Sequence, residues 1–341
     1  MSEKKKLTVV ELFAGAGGLA LGLEKADFKK TLITDNDAHS INTLKLNRPN
    51  WNIENKDVQL FSKEGIKKYL NSSEEVTLLS GGYPCQSFSY AGRKLGLEDV
   101  RGTLFYDFAK ILSEIKPKMF LAENVKGLVS HDGGKTLKIM IKVFENAGYN
   151  VVYQVLNSWD YNVAQKRMRV FIIGVRNDIH KKIGSDFVFP KPSNKKPVLK
   201  DVLKNVPESP HSPYNEKKIN IFKLVPAGGC WRDLPEEIAK EYMGKSYYLG
   251  GGKTGIARKL SWNEPSLTIL CSPAQKQTER CHPDEIRPLT IRESARIQGF
   301  PDNWKFTGSV SQQYKQIGNA VPINLAYAVG KQIKKYLLKL K

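Results

Sequence analysis

Few residues in the chain have both the type and the setting for covalent chemistry, and Cys85 stands first. It lies in Gly81-Gly-Tyr-Pro-Cys-Gln-Ser-Phe-Ser89, just after the apolar run Val76–Ser80. That run reads as a strand, so Cys85 falls at a carboxyl strand end, where open α/β sheets bind ligands. A cysteine is most often a small buried hydrophobe, but a Gly/Pro/Ser turn is not core. Nucleophilic use would need positive surroundings, because a free thiol titrates near pH ~8.5. Glu123-Asn124-Val125 follows the strand-like Lys118–Ala122 and should project from the same kind of edge. A carboxyl there is either a solvated loop glutamate or, with a raised pKa, a general acid. Gln165-Lys-Arg-Met-Arg-Val170 sets Arg167 and Arg169 on one face as a strand begins. The pair suits phosphate or base contacts, or a plain basic surface strand.

A fourth motif, Phe13-Ala-Gly-Ala-Gly-Gly-Leu-Ala20, joins a predicted strand to a predicted helix. Its glycines allow close backbone approach, and a helix N-terminus offers unpaired N–H groups. It fits Gly-x-Gly-x-x-Ala, with Asp35 at the spacing of a ribose-binding acid. A tight turn, a dinucleotide site and a site for another adenosine cofactor all remain open from these residues. The Gly-Lys-Thr triplets at 134–136 and 252–254 are not phosphate loops, since Val129 and Tyr247 stand where the earlier glycine is needed.

The elements that must position these residues are legible in the first half. Leu7–Phe13, Thr31–Thr34, Val76–Ser80, Lys118–Ala122, Val151–Asn157 and Val170–Val175 read as strands. Leu19–Ala26, Phe105–Ile115 and Thr136–Ala147 read as helices between them, and the alternation predicts a doubly wound α/β sheet. After about residue 180 the pattern breaks. Pro190, Pro192, Pro197, Pro207, Pro210 and Pro213 crowd one stretch, and 185–305 reads as a smaller, irregular second domain. Periodicity returns after Pro322, with Ile323, Ala326, Val329, Ile333, Leu337 and Leu340 on one helical face. That helix should return to the first domain, giving 1–184 with 306–341 as one domain.

Across its 341 residues the chain carries 54 Lys+Arg against 34 Asp+Glu, a net charge of +20. Such an excess favours a polyanionic partner, nucleic acid first. No window holds ~18 uninterrupted apolar residues, and the N-terminal run lacks a secretory signal. Neither a membrane nor export is expected. Cys85, Cys230, Cys271 and Cys281 form no Cys-x-x-Cys pair, so neither a zinc site nor a disulfide framework is expected.

Taken in order, Phe-x-Gly-x-Gly-Gly, Pro-Cys-Gln, Glu-Asn-Val and Gln-x-Arg-x-Arg resemble the DNA (cytosine-5)-methyltransferase family. Arg287-Pro-Leu-Thr-Ile-Arg-Glu-Ser-Ala-Arg-Ile-Gln-Gly-Phe-Pro301 and Gln313-Tyr-Lys-Gln-Ile-Gly-Asn-Ala-Val-Pro322 resemble that family's ninth and tenth motifs. The resemblance implies a Rossmann-like methyltransferase domain, a target-recognition domain at 185–305, and S-adenosylmethionine as cofactor. It implies that Cys85 attacks C6 of a flipped-out cytosine in double-stranded DNA, with Glu123, Arg169 and Arg167 assisting. Phe13, Ala14, Gly15, Gly17, Gly18, Leu19, Asp35, Asp57, Val58, Pro84, Leu104, Asn319 and Ala320 would hold the cofactor. Gln86, Ser89, Arg93, Lys94, Arg101, Gln165, Thr268, Gln275, Lys276, Gln277, Glu279 and Arg280 would meet DNA. The family often has a large apolar residue after the ribose acid, where this chain has Asn36. The resemblance further implies a cytoplasmic, nucleoid-associated monomer of bacterial or phage type, without a metal, alongside a cognate restriction endonuclease that acts on the same site without a stable complex. A NAD-dependent oxidoreductase would leave Cys85, Glu123 and the arginines unexplained. A zinc deaminase would need His-x-Glu and a Cys-x-x-Cys that the chain lacks. A non-catalytic DNA binder would explain the charge alone, and an inactive RNA-acting relative would not need so large a variable segment.

Overall fold

The structure is a computed structural model that describes residues 7–70, 75–84, 103–250 and 254–340. Strand β1 (Leu7–Leu12) is followed by helix α1 (Gly18–Lys25), β2 (Phe28–Asp35), α2 (Ala38–Asn47), β3 (Ile53–Asn55) and α3 (Val58–Glu64). Then come β4 (Leu78–Gly81), α4 (Leu104–Ile115), β5 (Met119–Val125), α5 (Lys135–Asn146), β6 (Tyr149–Asn157), β7 (Gln165–Lys166) and β8 (Met168–Arg176). Seven strands form one sheet in the order β3-β2-β1-β4-β5-β8-β6. Strands β3 to β5 pair in parallel, whereas β8 runs antiparallel to both β5 and β6. The chain builds outward in one direction from β1 and in the other from β4. Their carboxyl ends therefore flank the switch point where open α/β sheets bind ligands.

Strand β5 extends three residues past Ala122, because β8 supplies a ladder from Met119↔Val175 to Val125↔Arg169. Glu123 is consequently a strand residue, not the loop residue expected from sequence. Phe105, Phe108, Phe120 and Phe144 are fully buried against the sheet, and the Phe120 and Phe144 rings are 4.3 Å apart. Tyr83 packs edge-on against Phe105 at 5.5 Å. This aromatic block fixes the backbone leading to Pro84.

By contact clustering the chain forms two compact units. The first comprises Met1–Asn157, Met168–Pro192 and Ile323–Lys341; the second comprises Ser158–Arg167 and Ser193–Pro322. In the first, the helix Ile323–Leu337 lies so close to α1 that a Cβ on Gly22 would stand 2.3 Å from the Ala326 Cβ. The boundaries differ from the 184/185 and 305/306 positions read from sequence, for local reasons. Residues 158–167 join the second unit because β7 pairs in parallel with β9 (Ser266–Leu267). Residues 306–322 join it because the buried Gln298 amide donates to the carbonyls of Ile317 (2.7 Å) and Ala320 (3.2 Å). The second unit has its own core around Tyr214, Phe222, Leu234, Tyr242, Met243 and Cys281. Among the described residues no helix is long and apolar enough to cross a membrane.

Candidate active site

At the end of β1 the chain turns sharply, with Phe13, Gly15 and Gly17 all at positive φ. Gly15 tolerates this because it has no Cβ, and a Cβ there would meet nothing within 4 Å. The turn therefore leaves an open cradle before α1, whose N-cap, Gly17, contributes no side-chain cap. Asp35, at the end of β2, accepts the Gly15 N–H (2.8 Å) on one carboxylate oxygen and the Asp37 N–H (2.8 Å) on the other. Asp57 caps α3 by accepting the Gln59 N–H, and its second oxygen accepts from the Asn36 side chain at 3.2 Å. Asn36 thus directs its side-chain amide to the Asp57 carboxylate instead of offering an apolar face. Val58 is buried behind Asp57. An open glycine cradle beside fixed carboxylates suits a sulfonium-bearing adenosyl group, whose ribose hydroxyls donate to carboxylate. One strand residue before Leu12, Glu11 is fully buried with Lys30 3.9 Å away. Burial pushes its carboxyl up and the ammonium down, and their mutual attraction opposes both shifts.

The Glu123 side chain is largely buried, and its Oε1 lies 3.1 Å from Arg169 Nε. The β5–β8 register brings the two together, since Val125 pairs with Arg169. A Cβ on Gly82 would approach the Glu123 Oε2 to 3.0 Å, so the carboxylate passes beneath the Gly82–Tyr83 backbone. Asn124, which sequence reasoning passed over as part of the motif, is buried and donates to the Tyr83 carbonyl at 2.8 Å, while its own oxygen accepts the Val125 N–H. It couples the strand bearing Glu123 to the segment entering Pro84. The signal for it was the Glu-Asn-Val run itself. Pro84 is exposed, and Leu104 opens α4 behind the Thr103 cap. Cys85, Gln86, Ser89, Arg93, Lys94 and Arg101 lie outside the described residues.

Arg167 and Arg169 do not share a fate. Arg167 belongs to the second unit, is 2% exposed, and donates to the carbonyls of Ile269 (3.0 Å) and Gly318 (2.8 Å). Gln165 is fully buried; its amide donates to Gln298 at 2.8 Å and its oxygen accepts the Ile269 N–H. The phosphate or base contacts expected of Gln165 and Arg167 are corrected to internal ones. Arg280 is likewise buried, donating to the Thr268 and Glu279 carbonyls, and burial lowers its pKa to about 10. Thr268 donates its hydroxyl to the Lys166 carbonyl. Gln275, Lys276 and Gln277 are exposed. In the same unit Asn319 and Ala320 end the helix Val310–Asn319, and the Cys271 thiol donates to Asn319 Oδ1 at 3.1 Å.

Arg167→Ala should therefore lower stability by about 2–4 kcal/mol, since it strands two buried carbonyls. Denaturant unfolding measures that loss. The salt dependence of DNA binding should stay as in the wild type, whereas losing a phosphate contact would reduce its slope by about 1.

Residues 7–335 match the family of C-5 cytosine-specific DNA methylases. The chain is 57% identical over 335 residues to the type II methyltransferase M.Sau96I of Staphylococcus aureus, covering 98% of this chain and 77% of that protein. It is 55% identical over 334 residues to M.Eco47II of Escherichia coli, covering 96% and 78%. Among solved structures it is similar to a DNA modification methyltransferase candidate encoded within an E. coli prophage, with a TM-score of 0.71 at 26% identity over 97% of this chain and 99% of that one. The chain belongs to the C-5 cytosine-specific DNA methylase family. It is a DNA methyltransferase acting at C5 of cytosine, with S-adenosylmethionine as methyl donor. The oxidoreductase, deaminase and non-catalytic readings of its motifs are set aside.

Proposed function

We propose that the enzyme methylates one cytosine within a specific double-stranded DNA sequence through a covalent bond between Cys85 and C6. The observation that carries this reading is the Glu123–Arg169 pair held beneath the Gly82–Tyr83 backbone, directly before Pro84-Cys85. C5 of cytosine is a weak nucleophile, and covalent catalysis splits the difficult step. The target base must leave the stack to be reached. The Cys85 thiolate adds to C6 while Glu123 holds a proton at N3, so electron density collects at C5. Arg169 bonds the cytosine O2 and keeps the Glu123 carboxyl oriented. The bound cofactor supplies an electrophilic methyl group on sulfonium. After transfer, water or a neighbouring base takes the C5 proton, the C5–H electron pair re-forms the C5–C6 double bond and expels the thiolate, and the N3 proton returns to Glu123, which restores the ring. Phe13, Ala14, Gly15, Gly17, Gly18, Leu19, Asp35, Asp57, Val58, Pro84, Leu104, Asn319 and Ala320 hold the cofactor.

Residues 185–305 read the DNA sequence, and 1–184 with 306–341 carry the chemistry. The enzyme belongs to a type II restriction-modification system, in line with the type II methyltransferase names of its relatives, and acts as a cytoplasmic, nucleoid-associated monomer. It protects the site that a cognate endonuclease cuts, without a stable complex. Sequencing DNA from cells expressing the protein, with 5-methylcytosine detection, reads the site directly. Replacing residues 185–285 with the matching segment of a relative should transfer that relative's site. An active hybrid that keeps the original site would contradict this division of labour.

A further inference from the structure

We propose that Glu279 is a positioning residue that presets Gln275 and Gln277 as a base-reading tip. The proposal rests on the reading that the second unit recognises DNA sequence.

Residues 272–278 form a compact loop in that unit. The Gln275 N–H donates to the Ser272 carbonyl at 3.2 Å, the Thr278 N–H to the Gln275 carbonyl at 2.9 Å, and the Thr278 hydroxyl closes back on Ser272. Gln275, Lys276 and Gln277 are exposed at its apex, whereas Pro273, Glu279 and Arg280 are buried at its base. The Glu279 carboxylate is fully buried and fully engaged. It lies 2.8 Å from Lys218 Nζ on the helix Glu216–Leu224, and accepts from the Tyr242 hydroxyl at 2.9 Å and the Ala257 N–H at 2.6 Å. Lys218 also donates to the Ala274 carbonyl, one residue before the tip. Lys276 donates to the Tyr242 carbonyl, with its ammonium 4.8 Å from that ring. Carboxylate, ammonium and loop carbonyl therefore form one chain of charge-assisted bonds, which are shorter and stronger than neutral ones. With Lys276 and Arg280 spent on carbonyls, the apex offers two carboxamides, each both donor and acceptor, as base-edge readout needs. A loop held from one side by a buried charge loses little order on binding, so the geometry of the carboxamides is set before DNA arrives.

The test uses the full-length enzyme with S-adenosylmethionine, a duplex carrying the site read by sequencing, and duplexes altered at one base pair. Glu279→Gln should raise KM for the proper duplex and cut its preference over altered duplexes by about tenfold or more. Its kcat at saturation should stay at the wild-type value. Glu279→Gln/Lys218→Met removes both charges, which restores neutrality to the core but leaves Ala274 unheld, so it should lose the same preference at wild-type melting temperature. Full preference in that double variant would overturn the proposal, because Glu279 would then matter only for charge balance. A fall in kcat with preference intact would overturn it too. The exposed Gln275→Ala/Gln277→Ala variant must also lose preference; if it keeps it, the tip is not read, whatever the Glu279 variants do. A segment exchange that leaves the site unchanged would remove the underlying reading instead.

Discussion

Cys85→Ala should abolish methyl transfer while leaving the affinities for S-adenosylmethionine and DNA close to wild type. The expectation follows from chemistry, since no other step in the proposed sequence makes C5 nucleophilic. Alanine removes the sulfur without adding bulk at a position that follows Pro84. The cofactor residues from Phe13 to Leu19 and at Asp35 belong to other elements, where Asp35 accepts the Gly15 and Asp37 N–H groups. Methylation assayed with labelled donor, beside titrations of cofactor and duplex, separates the two effects. Wild-type turnover without the thiol would end the covalent mechanism.

Glu123→Gln should lower kcat by about 10²–10⁴-fold, the usual contribution of a positioned acid or base. Glutamine keeps the size of the side chain and an oxygen that can accept from Arg169 Nε, so the 3.1 Å contact has a neutral replacement. What it cannot do is give and retrieve a proton at N3. The loss should therefore fall on kcat at saturating DNA, with the dissociation constant of the duplex little changed. A change confined to DNA affinity would make Glu123 a contact residue only. Arg169 is part of the same comparison, because it lies against the carboxylate.

The elements nearest the chemistry were legible in the sequence because their signals are local. The apolar run of β1, the glycines after it and the helix that follows are contiguous, and the observed Leu7–Leu12 and Gly18–Lys25 lie within a residue of the reading. Helix α2 was not legible, since Ala38–Asn47 is largely polar and starts from an Asp37 side-chain cap rather than an apolar stripe. The length of β5 was hidden too, because its last three residues are strand only through pairing with β8. Arg167 shows the limit most plainly. Its type and its neighbour Arg169 pointed to an anionic ligand, but its partners Ile269 and Gly318 lie 102 and 151 positions away. Nothing within the motif announces them. Glu279 is similar: expected from sequence to meet a base edge, it is fully buried, with Lys218, Tyr242 and Ala257 closed around its carboxylate.

The central claim is that Cys85 bonds to C6, and a duplex carrying 5-fluorocytosine at the target tests it most directly. The thiolate can add and C5 can take a methyl group, but fluorine cannot leave as a cation, so elimination of the thiolate stalls. Denaturing electrophoresis should show a protein–DNA adduct that requires S-adenosylmethionine, survives denaturation and is absent with Cys85→Ala. An enzyme that methylates C5 of ordinary cytosine yet never traps on the fluorinated duplex would contradict the account, and the role given to the Gly81–Ser89 segment would have to be withdrawn.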